Sequence, residues 1–196
     1  MPGAVAPITV GLVAAGSYLF YNYVWGVPGN LTTVRADDGR EYRVQDLPDK
    51  QEAANLLAKI HTNVKKLMHD YSTNEAYLED PPAKLLIERF KVDNMMENSV
   101  HSSYTSYSEN KGEKLIICLR DKENSPYPLE DVNTIMFVVL HELSHLMTQS
   151  TGHTAEFWAN FKRVLHDAVR LGIYEQVNYS RNPVSYCGME ITDSPY

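Results

Sequence analysis

Nineteen residues, Ile135 to His153, constrain this chain more than any other stretch. They open with the apolar run Ile135-Met136-Phe137-Val138-Val139-Leu140 and continue directly into His141-Glu142-Leu143-Ser144-His145. The run is apolar on every side, so it reads as a buried helix that delivers polar groups from within a core. Four residues of helix turn through about 400°, so His141 and His145 leave the same face one turn apart. Two imidazoles so placed can bind one zinc ion. Glu142 is offset by one position, beside the metal rather than on it, where it can take a proton from a water the metal has acidified.

A catalytic zinc site needs three protein ligands and one open position. Ser150-Thr151-Gly152 ends the helix, and Gly152 permits a reversal that returns His153 toward the metal. His153 is therefore the expected third ligand and Glu156, one turn further on, its competitor; His166 lies deeper in the next helix. Ser185-Tyr186-Cys187-Gly188-Met189 offers a methionine-containing turn that could sit beneath the metal, and a Cys187 thiolate could reach it as an inhibitory ligand. Two cysteines, Cys118 and Cys187, are too few for a disulfide scaffold or a four-thiolate site. Tyr174, Tyr179 and Tyr186 are candidates, by position, for steadying a developing oxyanion.

The rest of the chain divides by charge. No charged side chain occurs before Arg35, and Ile8 to Val27 is an uncharged segment of 20 residues. A helix of that length spans about 30 Å, the thickness of a bilayer core, and Tyr18, Tyr21, Tyr23 and Trp25 gather at its C-terminal end as an interfacial belt would. Residues 8–27 are thus expected to anchor the protein in a membrane. Arg35, Arg40, Arg43 and Lys50 follow the segment and none precedes it, which places the remainder on the cytoplasmic side. The expected organisation is an anchor with its linker over residues 1–29 and a folded domain over residues 30–196. The sequons Asn30-Leu31-Thr32 and Asn178-Tyr179-Ser180 matter only if the domain faces a lumen. The net charge of −7 argues against a partner bound through phosphates, so no nucleic acid is expected.

Within the folded part, Val27-Pro28-Gly29-Asn30 reads as a linker, and Leu31 to Leu47 as a hairpin turning at Asp38-Gly39. Asp49 to about Tyr71 is a helix with Ala53, Leu56, Leu57, Ile60, Val64, Leu67 and Met68 on one face; His61 and His69 read as packing or solvated histidines. Pro81-Pro82 opens a helix reaching about Val92. Ser99 to Tyr107 is an expected edge strand. Asn110-Lys111-Gly112 is a turn, and Lys114 to Arg120 is the strongest strand in the chain. Helices follow from Glu130 or Asp131 to about Gln149 and from about Thr154 to Leu171, where Gly172 stops the second. The tail from Asn178 is expected to be irregular.

The strand ending Ile116-Ile117-Cys118-Leu119-Arg120, the His141-Glu142-Leu143-Ser144-His145 helix, Gly152-His153 and Glu156-Phe157-Trp158 together resemble the WLM and SprT-like zinc metallopeptidases. The similarity runs from about Lys114 to Leu171. It implies an α+β fold, a compact zincin-like domain with a small sheet packed on the H-E-x-x-H helix, here behind an N-terminal transmembrane helix. It also implies a zinc-dependent peptidase acting on a peptide or protein, with His141, His145 and His153 as ligands, Glu142 as general base, and the 114–120 strand as the edge on which substrate lies. Seven residues separate His145 from His153, a longer spacing than in several relatives. The N-terminal apolar segment and the stretch from Asp38-Gly39-Arg40-Glu41-Tyr42 to Ala53-Ala54-Asn55-Leu56-Leu57 are similar to proteins of large DNA viruses. That resemblance implies placement in a virion membrane and other virion proteins as partners. The alternative function it leaves open is a structural membrane or minor virion protein that keeps the fold and cleaves nothing.

Overall fold

The structure, a computed structural model, describes residues 27–195. Strand β1 (Val27–Arg35) turns at Asp38-Gly39 into antiparallel β2 (Glu41–Asp46). The long helix α1 (Lys50–Thr73), the single turn α2 (Glu75–Leu78) and α3 (Pro81–Arg89) follow. Three short strands come next, β3 (Met95–Glu97), β4 (Tyr107–Glu109) and β5 (Lys114–Ile117). Helices α4 (Val132–Met147) and α5 (Ala155–Arg170) precede a closing hairpin, β6 (Val184–Tyr186) and β7 (Met189–Ile191). The main sheet has the order β1-β2-β3-β5-β4, parallel across β2-β3-β5 and antiparallel at both edges. One apolar cluster joins sheet and helices, with α1 against β1, β2 and β3, and α4 between α1, α3 and α5. The mixed α+β architecture is the one expected.

Helices α3, α4 and α5 begin where side chains satisfy their free amides. Asp131 accepts from the Asn133 and Thr134 amides at the start of α4, Asp80 from Ala83 at α3, and Thr154 from Phe157 at α5. Helix α1 buries Ala53, Leu57, Ile60, Val64 and Leu67 as its periodicity requires, while Leu56 and Met68 are only partly covered. His61 is buried with its ring nitrogens against the Tyr42 hydroxyl and Asp93, a packing role.

Four expectations are corrected. The Val27–Asn30 linker is the start of β1, because the Gly29 amide donates to the Gln45 side chain and Val27 pairs with Asp46. The Ser99–Tyr107 edge strand is instead a looped segment that enters β4 only at Tyr107; the turn at Asn110, Lys111 and Gly112, all at positive φ, fixes the pairing next to itself. The strand at Lys114 stops at Ile117 and is interior, since β4 covers it. Leu115, Ile116 and Ile117 are all buried, the mark of a strand covered on both faces. The tail is not irregular: Cys187 (φ 53°) and Gly188 (φ 79°) form a two-residue turn with both φ positive, which sets β6 against β7. Residues 8–26 of the expected anchor lie outside the described residues, and Val27 belongs to a strand. No helix among the described residues is long and apolar enough to cross a membrane.

Candidate metal centre

Helix α4 holds the first part of the site. Ile135, Met136, Val139, Leu140 and Leu143 are buried, so the helix is fixed by its apolar contacts and presents His141 and His145 on its remaining face. Its C-terminal end is tied down. Arg89 donates to the Leu146 and Thr148 carbonyls, and the buried Asn160 of α5 donates to the Met147 carbonyl and the Thr148 hydroxyl. The chain then reverses through Gly152 (φ 84°). Glu156 staples that loop: its carboxylate accepts from the Gln149 and Ser150 amides at 3.0 and 3.2 Å and from the Ser150 hydroxyl at 2.7 Å. The loop carries His153 back over α4.

The three imidazoles converge. His141 Nε2 lies 3.2 Å from both His145 Nε2 and His153 Nε2, and one nitrogen from each ring falls within 4.8 Å of the others. Ligands about 2.1 Å from a common tetrahedral centre stand about 3.4 Å apart, so this spacing suits zinc. The protonation states suit it as well. Burial first, then the charges of His145 and His153, push His141 down to about 3; burial and His153 push His145 down. Both rings are therefore neutral near pH 7, with lone pairs available. A three-nitrogen set with one open side is the donor chemistry of a catalytic zinc site. Phe157, fully buried, supports all three rings: it stacks on His145 at 4.3 Å and meets His141 and His153 at 4.9 and 4.7 Å.

Glu142 sits beside this cluster. Burial raises its carboxyl to about 7, and the Ser108 backbone amide, which donates to it, opposes that rise. Ser108 belongs to β4, so the edge strand of the sheet runs next to Glu142. The strand at 114–120, expected as an edge, is covered by β4, one strand further out. The structure brings together His141, His145, His153 and Glu142, and leaves Glu156 occupied by the loop. His166 lies along α5, away from the cluster.

Other candidates are engaged elsewhere. Tyr186 is buried and bonds the Cys118 carbonyl and the Ser106 hydroxyl. Tyr179 packs edge-on against Phe137 at 4.6 Å, and the Tyr174 hydroxyl accepts from the Val177 amide. Cys187 is not an inhibitory thiolate, because it forms a disulfide with Cys118. Met189 lies on β7 and is 46% exposed, and Phe157 occupies the place beneath the rings that a methionine turn would fill. Two parts of the site had no reading in the sequence. The Ser108 amide carries no side-chain signal, and a lone pair of cysteines does not by itself announce the Cys118–Cys187 bond.

The profile of the WLM domain family matches residues 84–187. An uncharacterized protein of Acanthamoeba polyphaga mimivirus is 32% identical over 190 residues, which is 95% of each chain. Uncharacterized proteins of Invertebrate iridescent virus 6 and Invertebrate iridescent virus 3 are 33% and 39% identical over 82 and 87 residues, covering 42% and 43% of this chain and 46% and 50% of theirs. Among solved structures, the crystal structure of Wss1 from Saccharomyces cerevisiae aligns over 64% of this chain and 83% of that one, at 22% identity and a TM-score of 0.49.

Proposed function

This chain belongs to the WLM family, and on that footing we propose that it is a zinc-dependent peptidase that hydrolyses peptide or protein substrates. The observation that carries the proposal is the convergence of three imidazoles beside the half-buried carboxyl group of Glu142.

His141, His145 and His153 would hold one zinc ion through Nε2. Bound there, zinc supplies a Lewis acid that polarises a carbonyl and brings the pKa of water near 7. Glu142 acts at its carboxylate oxygens: it accepts a proton from the attacking water and passes it to the departing amine. In the metal-free site burial raises this carboxyl to about 7, and a bound zinc ion would favour its ionised form, the one that accepts a proton. The Ser108 amide holds the carboxylate in one orientation. As an edge strand, β4 has one side not covered by a further strand, which suits an extended peptide laid alongside it.

The test is Glu142→Gln, an isosteric change that cannot accept the proton. The variant should fold, keep its zinc and lose peptide hydrolysis by at least about 100-fold. Equal activity in both proteins would remove Glu142 from the mechanism. No hydrolysis by zinc-loaded wild type over a broad peptide library would favour the structural virion reading, which the viral relatives also suit.

Residues 8–26 remain the proposed membrane anchor, on the strength of their length and lack of charge, Val27 belonging to β1. Carbonate washing should leave the full chain with membranes and release one that starts at Asn30; release of both would refute the anchor. The disulfide bears on the side of the membrane. Such bonds form and persist in oxidising surroundings, so Cys118–Cys187 argues against a domain resident in the reducing cytosol, where the pattern of basic residues alone would put it.

A further inference from the structure

A pocket opens directly from His141, Glu142 and His153 and holds about 230 Å³. That is below the roughly 300–1,000 Å³ of sites for small organic ligands, and it suits one large side chain. Its apolar walls come from two parts of the chain. Phe137, Val138, Trp158 and Phe161 belong to α4 and α5; Met189 and Ile191 belong to β7. Glu190 and Asp193 stand at its margin, and no Lys or Arg lines it.

The β7 wall is held in place from outside the pocket. The Cys187 amide donates to Glu130 at 2.7 Å, the Tyr186 hydroxyl donates to the Cys118 carbonyl at 2.7 Å, and the disulfide joins the turn to the residue following β5. A wall fixed before binding incurs no ordering cost when a ligand enters.

We infer that this pocket is the specificity pocket of the site: it takes a bulky uncharged side chain next to the scissile bond, and Met189 and Ile191 set its size and charge preference. The inference rests on the peptidase reading and goes further by naming the substrate class. Moving a large apolar side chain from water into such a pocket favours it over alanine by roughly 10- to 100-fold. An aspartate or glutamate side chain would lose its hydration against the apolar walls and face Glu190 and Asp193 with no Lys or Arg in the lining, so it is disfavoured.

The experiment uses the zinc-loaded full chain and peptides that differ at one position, Leu, Phe, Ala, Lys or Asp, with cut bonds located by mass spectrometry. Cleavage should occur beside Leu or Phe, with kcat/KM roughly 10- to 100-fold above the Ala peptide and the Asp peptide poorest. Met189→Lys is placed at a half-exposed position, so zinc content and thermal midpoint should hold. It should lower the Leu-to-Asp ratio by at least about tenfold. Cutting without side-chain preference, or a ratio unmoved by Met189→Lys, overturns the inference.

Binding keeps the two proposals separable. In a Trp25→Phe protein Trp158 is the sole tryptophan of the two in the chain. Millimolar N-acetyl-leucine amide should change its emission saturably in wild type and not in Met189→Lys, while N-acetyl-aspartate amide should change neither. That result in a protein that cuts nothing sinks the peptidase reading and leaves the pocket standing. No response to the leucine amide sinks the pocket whether or not peptides are cut.

Discussion

Removing the Cys118–Cys187 bond should be among the most costly changes that leave the three histidines untouched. The bond closes a loop of 69 residues in sequence separation, enclosing α4, α5 and the whole metal centre. In the chain-entropy account, a loop of that length restricts the unfolded state by about 4 kcal/mol at 25 °C. For a domain of this size each kcal/mol moves the midpoint by about 2–4 °C, so the loss is about 8–16 °C. The measurement is thermal unfolding by circular dichroism, with and without a phosphine reductant, and of a Cys118→Ala/Cys187→Ala double variant. All samples should be metal-free, because zinc bound to the folded state would shift the midpoint by mass action. Thiol titration in denaturant should find no free thiol before reduction and two after. A fully oxidised protein whose midpoint moves by less than about 2 °C on reduction would refute the reasoning.

Two further outcomes concern the metal centre. His153→Ala should weaken zinc binding strongly in a chelator competition, whereas Glu156→Ala should loosen the Gln149–Ser150 loop and leave zinc stoichiometric; zinc retained unchanged in His153→Ala would place the third ligand elsewhere. In metal-free protein, burial raises the Glu142 carboxyl from its ordinary 4.5 to about 7, so the folded state holds a proton the unfolded chain has released. Its stabilising contribution is complete below about pH 4.5 and is lost as pH rises toward 7. Glu142→Gln should therefore be the more stable protein at pH 8, by at most about 3 kcal/mol and less in so far as the carboxyl reaches the cleft, and should match wild type near pH 4; equal urea midpoints at both pH values would show that the carboxyl is not perturbed.

Legibility followed the range of the forces involved. Helix α4 could be read because its signals are local: an apolar run, Asp131 as its cap and two histidines at a spacing of one turn. The β1–β2 hairpin was equally plain from Asp38-Gly39. Strand β3 could not be read. It is three residues long, and its place between β2 and β5 depends on Glu97, buried and paired at once with the Gln45 amide (2.6 Å) and Arg120 (2.8 Å), partners 52 and 23 residues away. The segment before Tyr107 looked like a strand by composition, but the Tyr104 carbonyl is taken by Asn98 and Lys122, so ladder pairing begins only beside the 110–112 turn. Strand β5 carried a signal that was misread: three successive apolar residues mean cover on both faces, hence an interior position. The β6–β7 turn used Cys187 where Asn or Asp would have announced it, and only the bond to Cys118 makes that choice intelligible.

The strand order also decides how the domain can be held. Strand β1, through which any load on the N-terminal residues enters the fold, is one margin of the sheet, and β4, which borders Glu142, is the other. Four strand spacings separate them, about 19 Å. A tether at the first margin would leave the second unobstructed, so a peptide laid beside Glu142 would approach from the side opposite β1.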